Sequence, residues 1–420
     1  MAHQKTDTSG GLKKVESNQL VAGLDIGSTK VAVVIGNLTQ SGIDVVGVGT
    51  APNQALKKGV VVNIEATTEA IQKAREEAEL MAGVELSKVW VGVAGSHLKS
   101  FDSKGIIAIR GQDVTATDVD RVIEAAKTVA VPQERQVLHA LARDFKLDDQ
   151  DGIFDPVGMS GVRLEASVHI VTGGKTALQN IIKCAERANL KVIGTVLEPL
   201  ASSLAVLEDD EKKLGTALID MGGGTTDLVI YIQGNLAYTA SVPVGGIHVT
   251  NDLAMGLRTP QISAENLKKK YGCALAALID SEETIEVEGV GGRPSRAVLR
   301  RNLCEVIEPR IEETFEFVKQ EIEKSGLSQL IGSGIVLTGG GSQLDGVTEL
   351  GEFIFDMPIR KATPNVFGGM IEAVRAPSFS TALGLVTYGS LQEREWLKSR
   401  RRPAGQVWMS RIKDWIDEIL

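Results

Sequence analysis

The sequence predicts a two-lobed α/β fold with an inserted α+β subdomain and a C-terminal amphipathic helix. Three observations point there. The segment LVAGLDIGSTKVAVVIGNLTQSGIDVVGVG from Leu20 and the segment GTALIDMGGGTTDLVIYIQGNLAYTASVPV from Gly215 share one pattern: strand, Asp-x-Gly turn, strand, glycine turn, strand. Between them SVHIVT, the span Lys175 to Ala188 and KVIGTVL read as strand, helix and strand, the alternation of an α/β unit. The chain closes on VWMSRIKDWIDEIL, whose apolar residues recur at helical spacing.

At 420 residues the chain exceeds one ordinary core, since domains run to roughly 100–200 residues. Residues 1–18 are polar, lack the apolar stretch of a secretory signal, and read as a disordered tail. The first-lobe core is expected over 19–87 and 168–206, with a helix from Ala66 to Met81 that brings Ala70, Ile71, Ala74 and Ala78 to one face. Residues 88–167 mix short strands with one helix, Asp118 to Ala130, and read as the insertion. The second-lobe core is expected over 207–245 and 326–390, interrupted by a mostly helical block at 246–325. Residues 391–406 read as a basic, proline-containing linker before the final helix at 407–420.

Composition narrows the function. No stretch approaches the ~20 apolar residues that span a bilayer. The cysteines Cys184, Cys273 and Cys304 form no CxxC pair, which speaks against a zinc site or a disulfide framework and for a reducing cytoplasm. With 54 acidic against 45 basic residues the net charge is −9, a field that repels a phosphate backbone, so no nucleic-acid partner is expected.

Asp25-Ile26-Gly27-Ser28-Thr29 and Asp220-Met221-Gly222-Gly223-Gly224-Thr225 each set a carboxylate at a strand end before a turn free of bulky side chains. A triphosphate needs backbone N–H groups at close range, which glycine permits, and hydroxyls for its oxygens, while carboxylates hold Mg²⁺, usually through water. One such turn is commonplace; two in repeated contexts indicate a clamp between lobes. A third glycine run, Gly339 to Gly341, lies between an apolar strand and a helix, where an adenine ring can rest on bare backbone.

These motifs resemble the actin, Hsp70 and sugar-kinase superfamily over about residues 20–390. Within it, GLDIGSTKVAVVIG, DPVGMSGVRLEASVHIVT, LASSLAVL, DMGGGTTDLVIY, VGGRPSR, EVIEPR and GIVLTGGGSQLDG resemble the FtsA family of bacterial cell division proteins. The resemblance implies ATP with Mg²⁺ as ligand. By motif, Asp25, Gly27, Ser28, Thr29 and Lys30 form the first phosphate loop, Asp220 with Gly222, Gly223, Gly224 and Thr225 the second, and Gly339, Gly340 and Gly341 the adenosine loop. Asp25 and Asp220 are the candidate metal carboxylates. Glu265 and Lys268 or Lys269, in the block that covers the nucleotide, are candidates for ribose or adenine; a solvated helix face is the alternative. Glu198, at the lobe junction, is the candidate to orient water for hydrolysis with Asp220 assisting, or else it caps the helix beginning at Pro199. The family hydrolyses ATP weakly. A sugar kinase needs a sugar pocket and catalytic aspartate that this sequence does not reveal, and an Hsp70-type chaperone needs a long substrate domain after the ATPase.

In the final segment Trp408, Ile412, Trp415, Ile416 and Ile419 fall on one helical face, with Lys398, Arg400, Arg401 and Arg402 preceding them. Docking on the protein's own core is the alternative; tryptophan and the adjacent basic run favour an anionic lipid surface. Arg293, Arg296, Arg300, Arg301 and Arg310 concentrate positive charge in an acidic chain and read as an acceptor for acidic peptide, or as a solvated face. The resemblance implies that this peptide is the C-terminal tail of FtsZ, the tubulin-like ring protein. It also implies self-association into filaments, contacts of later division proteins with the insertion, and a peripheral place on the cytoplasmic face of the inner membrane at the division site.

Overall fold

The computed structural model describes residues 20–400 apart from residues 41, 129, 130, 366, 370, 371 and 373. The tail at 1–18 and the final helix expected at 407–420, with Trp408, Ile412, Trp415, Ile416 and Ile419, lie outside the described residues.

The first lobe opens with β1 (Leu20–Ile26), β2 (Lys30–Thr39) and β3 (Gly42–Pro52), an antiparallel meander in which Val21–Ile26 of β1 and Val31–Gly36 of β2 are buried. A small hairpin, β4 (Leu56–Lys57) and β5 (Val60–Val61), leads into α1 (Ile64–Ala82). Asn63 starts that helix by accepting the Ala66 N–H, and Gly83 ends it with φ 66°, a left-handed cap. The next strand, β6 (Lys88–Val93), lies parallel to β1.

The inserted unit follows as β7 (Leu98–Ala108), α2 (Ala116–Lys127), β8 (Arg135–Leu147), β9 (Gln150–Ile153) and β10 (Arg163–Gly174). Its strands run β7-β10-β8-β9, and α2 covers one face with Val119, Val122 and Ala126. The expected limits of 88–167 therefore shift. Residues 88–93 are β6, buried in the first-lobe sheet, while β10 runs unbroken past 167 because its whole length pairs with β7 and β8.

The first lobe then resumes with α3 (Lys175–Arg187), β11 (Lys191–Leu197) and α4 (Glu198–Val206), and the short α5 (Asp209–Leu214) opens the second lobe, where Gly234 N–H bonds to Lys212 O. The second lobe repeats the meander as β12 (Thr216–Met221), β13 (Thr226–Ile232) and β14 (Asn235–Val242). The covering block holds α6 (Gly246–Gly256), α7 (Gln261–Tyr271), the hairpin β15 (Thr284–Val287) and β16 (Arg296–Leu299), and the long α8 (Arg300–Ser325). The chain returns through β17 (Ile335–Thr338), α9 (Val347–Phe355), β18 (Ile359–Lys361) and β19 (Phe367–Gly369) to α10 (Ser380–Arg400). That last helix continues to Arg400, well into the segment expected to be linker.

The lobe sheets run β11-β6-β1-β2-β3-β19 and β14-β13-β12-β17-β18. Each has its own core, and a further cluster joins them: Val34 of one sheet and Leu218 and Val229 of the other enclose Leu200 and Ala201 of α4 and Leu383 and Val386 of α10. Two helices sandwiched between twin sheets fix where the strand ends of the two lobes meet.

Candidate nucleotide cleft

The turns that end β1 and β12 face each other across the lobes. Gly27 N–H bonds to Lys30 O at 3.0 Å and closes the first turn, and Asn53 steadies it by donating Nδ2–H to Gly27 O at 2.9 Å. The second turn is held by the start of α6, where Gly246 N–H and Ile247 N–H bond to the carbonyls of Gly222 and Gly223 at 3.0 and 2.8 Å. The facing turns are close enough that a Cβ on Gly224 would lie 3.0 Å from Ser28 Cβ, and one on Gly223 3.1 Å from Thr29 Oγ1. At the third turn Gly339 has φ 82°, and a Cβ there would meet Met221 O at 2.7 Å, so only glycine fits.

Around these turns opens a cleft. Asp25, Gly27, Ser28, Thr29 and Lys30 line it from one lobe, and Asp220, Gly222, Gly223, Gly224, Thr225, Gly339 and Gly340 from the other. Glu198 lines it from α4, and its carboxyl is not the helix cap: Leu197 occupies the cap position, and the Glu198 chain lies over Gly92. Lys30 reaches Ser378 Oγ at 3.3 Å and sits 3.5 Å above the Phe379 ring, a cation–π contact.

Not every expected residue lines the cleft. Gly341 packs against Met221. Lys268 Nζ donates to Gly246 O at 3.0 Å, Thr250 Oγ1 at 2.9 Å and Glu265 Oε2 at 2.7 Å, so Glu265 and Lys268 brace the start of α6, and through it the second turn. Lys269 pairs with Glu265 at 3.2 Å and stays mostly exposed. The five arginines do not form one free patch either. Arg300 pairs with Glu283 and donates to Tyr271 O, Arg310 pairs with Asp252 and Glu313, and Arg296 donates to Leu257 O. Arg293 and Arg301 remain exposed, Arg301 with a loose contact to Glu305 at 3.3 Å.

Four carboxyls gather at the cleft, Asp25, Asp220 and Asp227 buried and Glu198 half-buried. Burial is the largest cause of their altered acidity. It pushes Asp25 up to about 7, against the pull of Lys30 and helped by Asp220, and Asp227 up to about 7 against the neighbouring hydroxyls of Ser241 and Thr225. Glu198 rises well above its ordinary value through burial and the neighbouring Asp25, Asp227 and Asp220, and Asp220 also rises. Such a cluster strongly favours a positive ligand. Among the described residues no three His, Cys, Asp or Glu groups are arranged to ligate a metal directly. The donor set suits Mg²⁺, which keeps several waters and binds through one or two carboxylates plus phosphate oxygens.

Sequence reasoning missed three residues that line the cleft, Asp227, Ser378 and Thr381, and Ser202 beside it. Asp227 lies two residues past Thr225, whose hydroxyl donates to it at 2.8 Å; its signal was the second aspartate of DMGGGTTD. Ser378 and Thr381 come from the approach to α10 and its start, where no motif points, and Ser202 on α4 lies within LASSLAVL, a motif that by itself assigns it no chemistry.

Twin meanders around shared helices, with facing glycine turns at the strand ends, define the actin-like ATPase fold. Solved structures agree on that fold: the PilM–PilN type IV pilus biogenesis complex superimposes with a TM-score of 0.64 at 16% identity, covering 88% of this chain and 98% of that one. MreB5 of Spiroplasma citri bound to ADP gives 0.52 at 13% identity, covering 91% and 98%. The family model "Cell division protein FtsA" matches residues 217–384, and the model of the SHS2 domain inserted in FtsA matches 95–172. Cell division protein FtsA of Pseudomonas aeruginosa is 47% identical over 96% of this chain and 99% of its own length, and that of Escherichia coli K12 is 37% identical over the same shares. The chain belongs to the FtsA family, and its role is in cell division.

Proposed function

We propose that this chain binds Mg-ATP in the cleft, polymerises on the cytoplasmic face of the inner membrane and anchors the FtsZ ring there by the FtsZ C-terminal tail. The inserted subdomain helps recruit later division proteins. The observation that carries the nucleotide reading is the meeting of two glycine turns from different lobes beside buried Asp25 and Asp220. A relative by fold, MreB5, is described as bound to ADP, which supports the same use of this fold.

Ser28, Thr29 and the turn amides would hold phosphate oxygens, and Lys30 adds positive charge at the floor. Bound Mg²⁺ would draw charge from the phosphates. Glu198 faces the cleft from the lobe junction and orients a water for slow hydrolysis, its chain packed over Gly92 and its carboxyl near the other three acids. The helix α10 begins beside the cleft with Thr381 and runs on to Arg400, so it leads from the phosphate site toward the C-terminal part of the chain.

The test is co-sedimentation with anionic vesicles, with and without Mg-ATP, comparing the full chain with one ending at Arg402. Pelleting enhanced by ATP and lost on truncation is expected. Pelleting indifferent to both would remove the tether and leave a soluble ATPase of the same fold.

A further inference from the structure

Only a few side chains of the inserted subdomain reach the core of the first lobe, and one of them acts beside Glu198. His139 on β8 is buried, with 8% exposure, and its Nε2 accepts the Leu197 N–H at 3.1 Å. Leu197 is the cap residue of α4, which has no side-chain cap of its own, and Glu198 is that helix's first residue. We propose that His139 is a positioning residue for Glu198: by fixing the backbone at Leu197 it sets where the Glu198 carboxyl enters the cleft. This deepens the hydrolytic reading above and rests on it.

Three further observations support the assignment. The Glu198 chain packs over the bare backbone of Gly92 on β6, where a Cβ would lie 3.0 Å from Glu198 Cγ, so its path into the cleft follows from where its own backbone starts. Burial pushes the imidazole down to about 4, so the ring stays neutral at physiological pH and Nε2 remains an acceptor with the proton on Nδ1. The ring is backed by Tyr388 of α10, edge-on with centroids 6.4 Å apart, and Tyr388 in turn meets Trp90 of β6 at 5.2 Å. A partner that shifts β8 therefore moves the aim of Glu198 without touching the nucleotide. Misplacing a reacting group by ~1 Å costs up to about 100-fold in rate.

The experiment measures ATP turnover of the full chain on anionic vesicles, with nucleotide affinity measured separately. His139→Leu keeps the size and loses the acceptor; His139→Gln restores an acceptor, Oε1, at nearly the same reach. Expected is a ~10–100-fold fall in kcat for the leucine variant with KM within about 3-fold, and recovery of most of kcat in the glutamine variant. Amide exchange over Leu197 and Glu198 should quicken in the first and not in the second. If the leucine variant folds poorly, His139→Met asks the same question. Glu198→Gln separates the possible failures. If it abolishes turnover and His139→Leu does not lower it, this inference is overturned alone. If the unaltered chain has no turnover, or Glu198→Gln does not change it, the hydrolytic reading falls and takes this inference with it.

Discussion

Ser202 Oγ donates to Asp220 Oδ2 at 2.5 Å, tying α4 of the first lobe to the second-lobe strand that ends in the phosphate turn. Thr381 of α10 donates to the same oxygen at 3.3 Å and lies 3.0 Å from the Ser202 hydroxyl. One oxygen of the candidate metal carboxylate is thus committed to a contact between the lobes.

Ser202→Ala tests that link. Both partners are buried, so loss of the charged hydrogen bond should cost about 1–3 kcal/mol of stability. The bond also holds down the pKa of Asp220, which burial raises, so its removal makes Asp220 easier to protonate. Mg-dependent nucleotide affinity should then fall more at pH 6 than at pH 8, read by titration with a fluorescent ATP analogue. An equal loss at both would mean that the serine acts on packing alone.

Asp227 gives the ligand-free protein a pH dependence. Its folded value of about 7 stands above the ordinary 3.8, so the unfolded chain releases this proton first and the folded state holds it longer. The resulting stability is complete below about 4 and is lost as pH rises through about 7, a loss of roughly a few kcal/mol at most. Asp25 adds a slope of the same sign. Asp227→Asn keeps an acceptor for Thr225 and removes the charge, so in EDTA and without nucleotide its melting temperature at pH 8 should exceed that of the unaltered chain, with the difference vanishing near pH 4. A variant that melts lower at pH 8 would show that the carboxylate is already compensated.

What the sequence revealed of this cleft follows from where the information lies. Asp25, Gly27, Asp220 and Gly222 are legible because strand, carboxylate and glycine are adjacent in the chain, and the repeat doubles the signal. Ser202 and Thr381 reach the same carboxylate from positions far apart in sequence, and serine and threonine in a helix are too common to stand out. The insertion's edges were misread for a related reason. KVWVGV has the apolar texture of any strand, and only its parallel pairing with β1 assigns it to the first-lobe sheet. Charge proved the least reliable guide: Arg300 and Arg310 look free in one dimension and are paired with Glu283 and Asp252 in three.

That pairing divides the arginines for the partner test. Arg300→Glu would place a charge beside Glu283 and lose the bond to Tyr271 O, so a fall in melting temperature is expected with any loss of binding. Arg293→Glu with Arg301→Glu changes two exposed charges and should leave stability within about 0.5 kcal/mol. If an acidic FtsZ tail docks here, the double variant binds the tail peptide several-fold more weakly at low salt, and the difference shrinks as salt rises. Affinity unchanged at low salt would move the tail site away from this hairpin and helix start.

The last prediction concerns Trp408 and Trp415. Each large apolar side chain gains at most ~1.5–3 kcal/mol on full burial, and an interfacial helix buries only part of it. Folding a short helix opposes that gain, so a single copy should hold a membrane reversibly. A filament presents many such helices at high local concentration, and avidity then makes attachment firm without any new contact. Membrane binding and polymerisation should therefore reinforce each other: vesicles should lower the protein concentration at which filaments form, and Mg-ATP should raise the pelleted fraction. Trp408→Ala with Trp415→Ala should release the protein from anionic vesicles while leaving nucleotide affinity unchanged, because the cleft lies at the other end of α10. If the double variant still pellets with lipid as the unaltered chain does, the membrane contact belongs to another surface, and the basic run from Lys398 to Arg402 becomes the segment to reverse in charge.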